Sequence, residues 1–272
     1  MSRLLNIGCG AAYHSEWLNL DAQPGSPAVM AHDARRALPI GDEGLDAVYA
    51  SHVLEHLAAE DGARLLRECH RVLAGGGILR IVVPDLEEIV RLYLHCLEGA
   101  LGGDTDAAAR YEWAMLELYD QVVRTESGGN MARYLRRTLG ERQRAFVAAR
   151  IGDEAAAPPP GARPGLGQRL ARRMSRLRFA LAGAAAGLLL GAQGRDALRE
   201  GVFRRGGEVH LWMYDRYSLR RALEQAGFAE VRVCAAEESR IGGFARYGLE
   251  TRAGLERKPD SLYVEALKPR PT

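Results

Sequence analysis

Lysine is almost missing from this chain. It occurs only at positions 258 and 268, and arginine carries the rest of the basic charge. With a formal net charge of +2 there is no global attraction for nucleic acid, so none is expected as a partner. Cysteine is scarce as well. Cys9, Cys69, Cys96 and Cys234 are scattered without metal-ligand spacing, which speaks against a zinc centre or a disulfide scaffold. Reduced thiols in the cytoplasm are the expectation, with no metal. No uncharged apolar run reaches the roughly 18 residues a membrane span needs. The nearest, "FALAGAAAGLLLGAQG" from Phe179 to Gly194, is short and rich in Ala and Gly, so a span is not expected. A secretory pattern is not evident either, because "RLLNI" leads at once into a glycine turn.

What is present is an ordinary globular balance, 47% hydrophobic and 26% charged over 272 residues. That suits one large domain, or a domain carrying an insertion. Leu4–Ile7 is a short apolar run stopped by Gly8, as buried parallel strands are. "WLNLD" and "AVMAHD" read as further strands ending on Asp21 and Asp33, and "LDAVYAS" as a fourth. Leu65, Leu66, Cys69, Val72 and Leu73 share a helical face, with Gly75–Gly77 expected to close that helix. "ILRIVVPD" is the clearest strand. Asp85 is placed to cap the helix after it, with Glu88 as capping-box partner. This alternation predicts a doubly wound, mostly parallel seven-stranded α/β sheet.

The pattern changes near Gly99. Residues 105–126 and 131–149 read as helices, "DEAAAPPPGARPG" as a linker, and "QRLARRMSRLRFALAG" as a basic amphipathic helix with Leu170, Met174, Leu177 and Leu181 on one stripe. Such a helix either lies on an anionic membrane surface, here through 168–194, or packs its stripe on the domain. After Glu208 the α/β pattern resumes. Ser218 is a candidate helix cap, and "FAEVRVCA" and "SLYVEALK" read as a closing antiparallel pair. The organisation expected is thus 1–98 as the first part of the core, 99–206 as a helical insertion forming an acceptor site or lid, and 207–272 as the second part.

The first turn, "LNIGCGAAYHSEWLNLD", has a Gly-x-Gly and a second-strand acid but no third glycine. Glycines at a strand's carboxyl end let backbone amides approach a ligand, and Asp21 is placed for ribose hydroxyls. Nine residues between the strands leave little room for the helix that would face a pyrophosphate. A nicotinamide cofactor is therefore disfavoured, and an adenosyl ligand such as S-adenosylmethionine is favoured.

Five blocks in order carry a resemblance: "LNIGCG", "LNLD", "HDARRALPIGDEGLDAVYASHVLEHL", "LLRECHRVLAGGGILRIVVPD" and "YSLRRALEQAGF". Together they are similar to the class I S-adenosylmethionine-dependent methyltransferases of the type-11 group, which includes quinone-ring methylases. "YEWAMLELYDQVVRTESGGNM", "GGEVHLWMYDRYSL" and "KPDSLYVEALKP" resemble a subgroup of predicted methyltransferases associated with surface-glycan assembly. The resemblance implies a Rossmann-like methyltransferase fold with S-adenosyl-L-methionine as cofactor. Gly8, Cys9 and Gly10 would line its methionine side, Asp21 hold its ribose, Asp33 and Ala34 lie beside adenine, and Ser51 and His52 flank the sulfonium. Asn6 stands where the group usually has an acid, so it can meet an ammonium group only as a neutral acceptor.

A hydroxyl acceptor benefits from a general base. His52, His210 and Asp85 are the catalytic candidates, with Asp215 and His56 further from favour; Glu55 and His56 read as structural. Asp120 and Arg124 from the insertion, with Trp212 and Tyr214 as flat surfaces, are the candidate acceptor contacts. The functional expectation is O-methylation of a glycan or glycolipid precursor by a cytoplasmic protein, peripheral at the inner membrane face. The alternatives are methylation of a quinone or other small aromatic, and a non-catalytic cofactor-binding scaffold in a membrane-associated assembly complex.

Overall fold

A computed structural model describes residues 3–152 and 166–270 of the chain. The stretch 153–165, read above as a linker, lies outside them. Strands β1 (Leu4–Ile7), β2 (Leu18–Asp21), β3 (Met30–Ala31), β4 (Leu45–Ser51) and β5 (Leu73–Pro84) pair in parallel in the order β3-β2-β1-β4-β5. β6 (Ala229–Cys234) and β9 (Ser261–Leu267) complete a seven-stranded sheet, with β9 antiparallel to both β5 and β6. The small ribbon of β7 (Thr251–Arg252) and β8 (Leu255–Glu256) lies apart from it. This is the mostly parallel, Rossmann-like architecture expected, and β1, β4, β9 and the second half of β5 are almost wholly buried because both faces of the sheet are covered there.

One face packs under α1 (Ala59–Val72) and α7 (Arg216–Gln225), where Leu65, Leu66, Cys69, Leu219 and Leu223 meet Leu5, Val48 and Leu79. On the other, the crossover between β1 and β2 has no helix. Its place is taken by the irregular connection from β6 to β9. Phe244 and Tyr247 from that connection pack edge-on around Trp17 and close on Tyr49. The abbreviated first crossover is thus covered by a late segment of the chain.

Several local expectations are corrected. Gly75–Gly77 do not cap α1. The helix ends at Val72, Leu73 is already extended and fully buried, and the glycines make an irregularity in β5 that shifts its register against β4. Gly76 has φ +84°, which a glycine adopts without cost. Ser218 is not the cap of α7 but its third residue. Asp215 caps it and accepts from the amides of Tyr217 and Ser218, while Ser218 Oγ accepts from the Asp215 amide in a full capping box. Asp85 does cap α2 (Leu86–Leu101), accepting from the amides of Glu87 and Glu88. The third strand keeps only two residues of "AVMAHD".

Beyond α2 come α3 (Thr105–Val123), α4 (Gly129–Leu135) and α5 (Glu141–Ile151). The last two divide what reads as a single helix over 131–149. They enclose a small core of their own from Trp113, Met131, Tyr134, Val147 and Ile151.

α6 (Leu166–Arg204) departs most from expectation. Its stripe does not pack on the domain: Met174, Leu177 and Leu181 are exposed, and the Leu170 side chain lies outside the described residues. Contrary to the expectation that no run is adequate, Leu177–Arg204 is long and apolar enough, by length and composition, to cross a membrane. It is not one straight rod. Gly191 has φ 68° and ψ −166°, and a Cβ on Gly187 would lie 4.0 Å from the Arg195 Cβ. Eight residues apart on an unbroken helix is about 12 Å, so the chain doubles back at Gly191. Gly183, Ala186, Gly187, Gly194 and Leu198 are the partly covered positions between the arms. Leu188, Leu189 and Leu190 stand at the tip, 87, 79 and 71% exposed.

Candidate active site

The carboxyl ends of β1, β2 and β4 converge on two adjoining cavities that share Gly8, His52 and His56. The smaller, about 310 Å³, is lined by Asn6, Gly8, Cys9, Gly10, Ser51 and Tyr263, among others. The larger, about 610 Å³, is lined by Asp21, Asp33, Ala34, Arg35, Arg204 and Leu211, among others. Both volumes are in the range of small-molecule sites.

The glycine turn is built for close approach. Gly8 has φ +64°, and a Cβ there would stand 2.3 Å from Val53 Cγ2. Gly10, at φ +51°, faces open space. Its amide donates to Asp21 Oδ2 at 2.8 Å, and the Gln23 amide donates to Asp21 Oδ1 at 2.7 Å. The Asp21 carboxylate is thereby fixed, and each oxygen keeps a lone pair for a further donor. Burial, then the charge of Asp21, pushes the Cys9 thiol up to about 11, so Cys9 is an inert lining residue.

Asn6 Nδ2 donates to the Ala12 carbonyl at 3.0 Å and to Asn19 Oδ1 at 3.3 Å, whereas its buried Oδ1 has no hydrogen-bond partner among the described residues. An orphaned acceptor in the cavity wall fits an incoming ammonium or hydroxyl donor. Asp33 is more committed than its expected place beside adenine implies. Arg35 Nε and Nη2 bind both its oxygens, and that hydrogen bonding holds its pKa at about 2. An adenine amine there would compete with Arg35.

His52 stands just past β4 with φ +54°, unusual for a residue with a side chain. Its amide donates to the Val82 carbonyl at 2.9 Å, its Nδ1 lies 3.0 Å from Glu55 Oε1 and its Nε2 lies 3.0 Å from Ser261 Oγ. His210 is 3% exposed and stacks edge-on with His56, ring centres 4.8 Å apart. Burial drives its imidazole down to about 3, keeping it neutral and weakly basic.

The other candidates are placed elsewhere. Asp85 lines neither cavity; its carboxylate is spent on the α2 cap. Asp120 is buried and caps α4 from the side, accepting from the amides of Asn130 at 2.7 Å and Met131 at 3.2 Å. Arg124 bridges Asp120 in the insertion to Glu208 just past its end. Tyr214 belongs to the core under α1 and α7, not to a surface. Trp212 is half exposed and lines neither cavity. Residues that sequence reasoning missed are Arg35, Leu211 and Arg204–Gly207, which wall the larger cavity, and Glu55, which joins three histidines. Only the spacing of His52, Glu55 and His56 hinted at the last of these.

Residues 5–81 match the family model described as a methyltransferase domain of type 11. No curated protein matches the chain. Among solved structures, similar ones include S-adenosylmethionine-dependent methyltransferases from three organisms. That from Mesorhizobium loti is 18% identical, covering 98% of this chain and 90% of its own, with a TM-score of 0.38. That from Archaeoglobus fulgidus is 14% identical, covering 98% and 86%, at 0.38. That from Thermotoga maritima is 12% identical, covering 98% and 82%, at 0.39. The chain is a methyltransferase, and S-adenosyl-L-methionine is its cofactor. The residues present fit that group: Asp21 for the ribose, the open Gly10 backbone and the orphaned Asn6 oxygen for the methionine end.

Proposed function

We propose that this methyltransferase acts on an oxygen of a glycan or glycolipid precursor presented at a membrane surface. The observation that carries the reading is continuity. The returning arm of α6 runs from an exposed leucine tip at 188–190 down to Arg204, and Arg204–Gly207 then wall the same cavity as Asp21 and Asp33. An apolar tip that dips into lipid would hold that cavity beside the headgroups, where a lipid-linked acceptor is presented. Arginines at 169, 172, 173, 176 and 178 lie towards the start of the other arm, suited to anionic lipid. In this reading the protein is cytoplasmic and peripheral at the inner membrane face.

When bound, the cofactor supplies an electrophilic methyl group. This chain's residues hold and align, which can contribute roughly 7–11 kcal/mol to lowering the barrier. Asp21 and Asn6 anchor the cofactor's two ends, while His52 and His56, shared by both cavities, face the join where an acceptor hydroxyl would sit.

The test is transfer of a labelled methyl group from S-adenosylmethionine to extracts of bacterial lipid-linked glycans, water-soluble sugars and short-chain quinols. Label in the glycolipid fraction, lost when Leu188, Leu189 and Leu190 are changed to serine, supports the reading. Label confined to quinols or to free sugars overturns it.

A further inference from the structure

We propose that Glu55, His56 and His210 form a binding site for one divalent transition-metal ion of the Zn²⁺ type, opening on the join between the two cavities. The three donor atoms all lie within 4.8 Å of one another. Donors around a tetrahedral ion at about 2.0–2.2 Å stand roughly 3.3–3.6 Å apart, so closure takes side-chain shifts of about an ångström.

Three independent features of the cluster point to a missing cation. Glu55 is fully buried; its Oε1 lies 3.0 Å from His52 Nδ1, and its Oε2 has no hydrogen-bond partner among the described residues. A buried carboxylate left in that state is costly unless an ion pairs with it. His210 is also buried, and its Nδ1 likewise has no partner among the described residues. Third, His56 Nδ1 lies 3.3 Å from the Val209 carbonyl, which can accept only if that nitrogen carries the proton. The tautomer so fixed leaves Nε2 as a lone-pair donor, the outer arrangement that ligating histidines show.

The backbone holds the three together. The Glu55 carbonyl accepts from the amides of Leu211 at 2.7 Å and Trp212 at 3.2 Å, and the His210 amide donates to the Gln121 carbonyl at 2.9 Å. Two chain segments far apart in sequence are thereby clamped with their donors facing. Two imidazoles and one carboxylate suit Zn²⁺, Mn²⁺, Fe²⁺ or Co²⁺ and not the all-oxygen preference of Mg²⁺ or Ca²⁺. Because His56 lines both cavities, the open positions of such an ion face the place where, on the proposed function, the acceptor oxygen would lie. The ion would orient and polarise that oxygen.

The experiment uses the full, tag-free chain, stripped with a chelator and titrated with Co²⁺ alone. Expected are one Co²⁺ per chain with visible absorption bands of a low-coordinate site, displacement by Zn²⁺, and at least tenfold weaker binding in His210→Ala and His56→Asn. Circular dichroism establishes that each variant is folded; His56 is only partly buried and is the safer change. A folded wild-type chain that takes up no Co²⁺, or takes it up equally in both variants, overturns the site. Neither cofactor nor acceptor is present, so this failure is distinct from failure of the glycolipid assay.

Discussion

Asp21 is held by two backbone amides before any ligand arrives, so its replacement has two consequences. Asp21→Ala is expected to weaken S-adenosylmethionine binding at least tenfold by calorimetry, since a hydrogen bond to a charged group contributes about 1.5–3 kcal/mol. It also frees the Gly10 and Gln23 amides and loosens the turn. At Gly8 the constraint is steric. Gly8→Ala puts a methyl against Val53 Cγ2 in a left-handed backbone, and a loss of about 1–3 kcal/mol is expected in denaturant unfolding. Adding Val53→Ala is expected to return part of it, because the two side chains compete for one space. At this scale the sequence was most legible. Gly8, Gly10 and Asp21 announce themselves by type and by place at strand ends. Asp120 and Tyr214 do not, because whether a polar or aromatic residue faces a cavity or a core depends on partners distant in sequence. Asp120 is claimed by amides ten residues on, and Tyr214 by α1 and α7.

Elements follow the same division. β4, β5 and α1 were readable from apolar periodicity, and the α2 cap from Asp85. Asp85→Ala is expected to cost about 1 kcal/mol of stability, measured by thermal unfolding, with S-adenosylmethionine affinity unchanged because the residue lines neither cavity. The end of α1 was not readable. Glycines after a helix usually cap it, but here the pull of a buried Leu73 extended the strand through them. α6 was misread for a related reason: the stripe identifies an apolar face but not its partner. Gly191→Ala disfavours the reversal and favours a continuous helix. Its expected outcome is weaker sedimentation with anionic vesicles than the wild type shows, with far-ultraviolet dichroism unchanged or slightly more helical.

For the molecule as a whole, one buried guanidinium ties the sheet to its covering segment. Arg80 on β5 is fully buried and binds Glu250 and Glu265, together with the carbonyls of Ala235, Ala236 and Glu238. Two carboxylates share one cation, and burial, against the pull of Arg80, holds Glu250 up at about 7. Its folded pKa thus lies above the unfolded value near 4.3. The stability it contributes is fully present below that value and is lost as pH rises through about 7. Melting temperature is expected to fall from pH 5 to pH 8 in the wild type and to change less in Glu250→Gln. Nothing in the local pattern around Arg80 foretells this network, since its partners lie 170 and 185 residues away.

The place of β9 has a consequence for how the protein is made. It pairs with β5 on one side and β6 on the other, so β6 has no neighbour in the sheet until residues 261–267 exist. On the ribosome, α7 and β6 emerge before β9 and must wait for it, and this side of the sheet is sealed only when β9 slides between two strands that were synthesised before it.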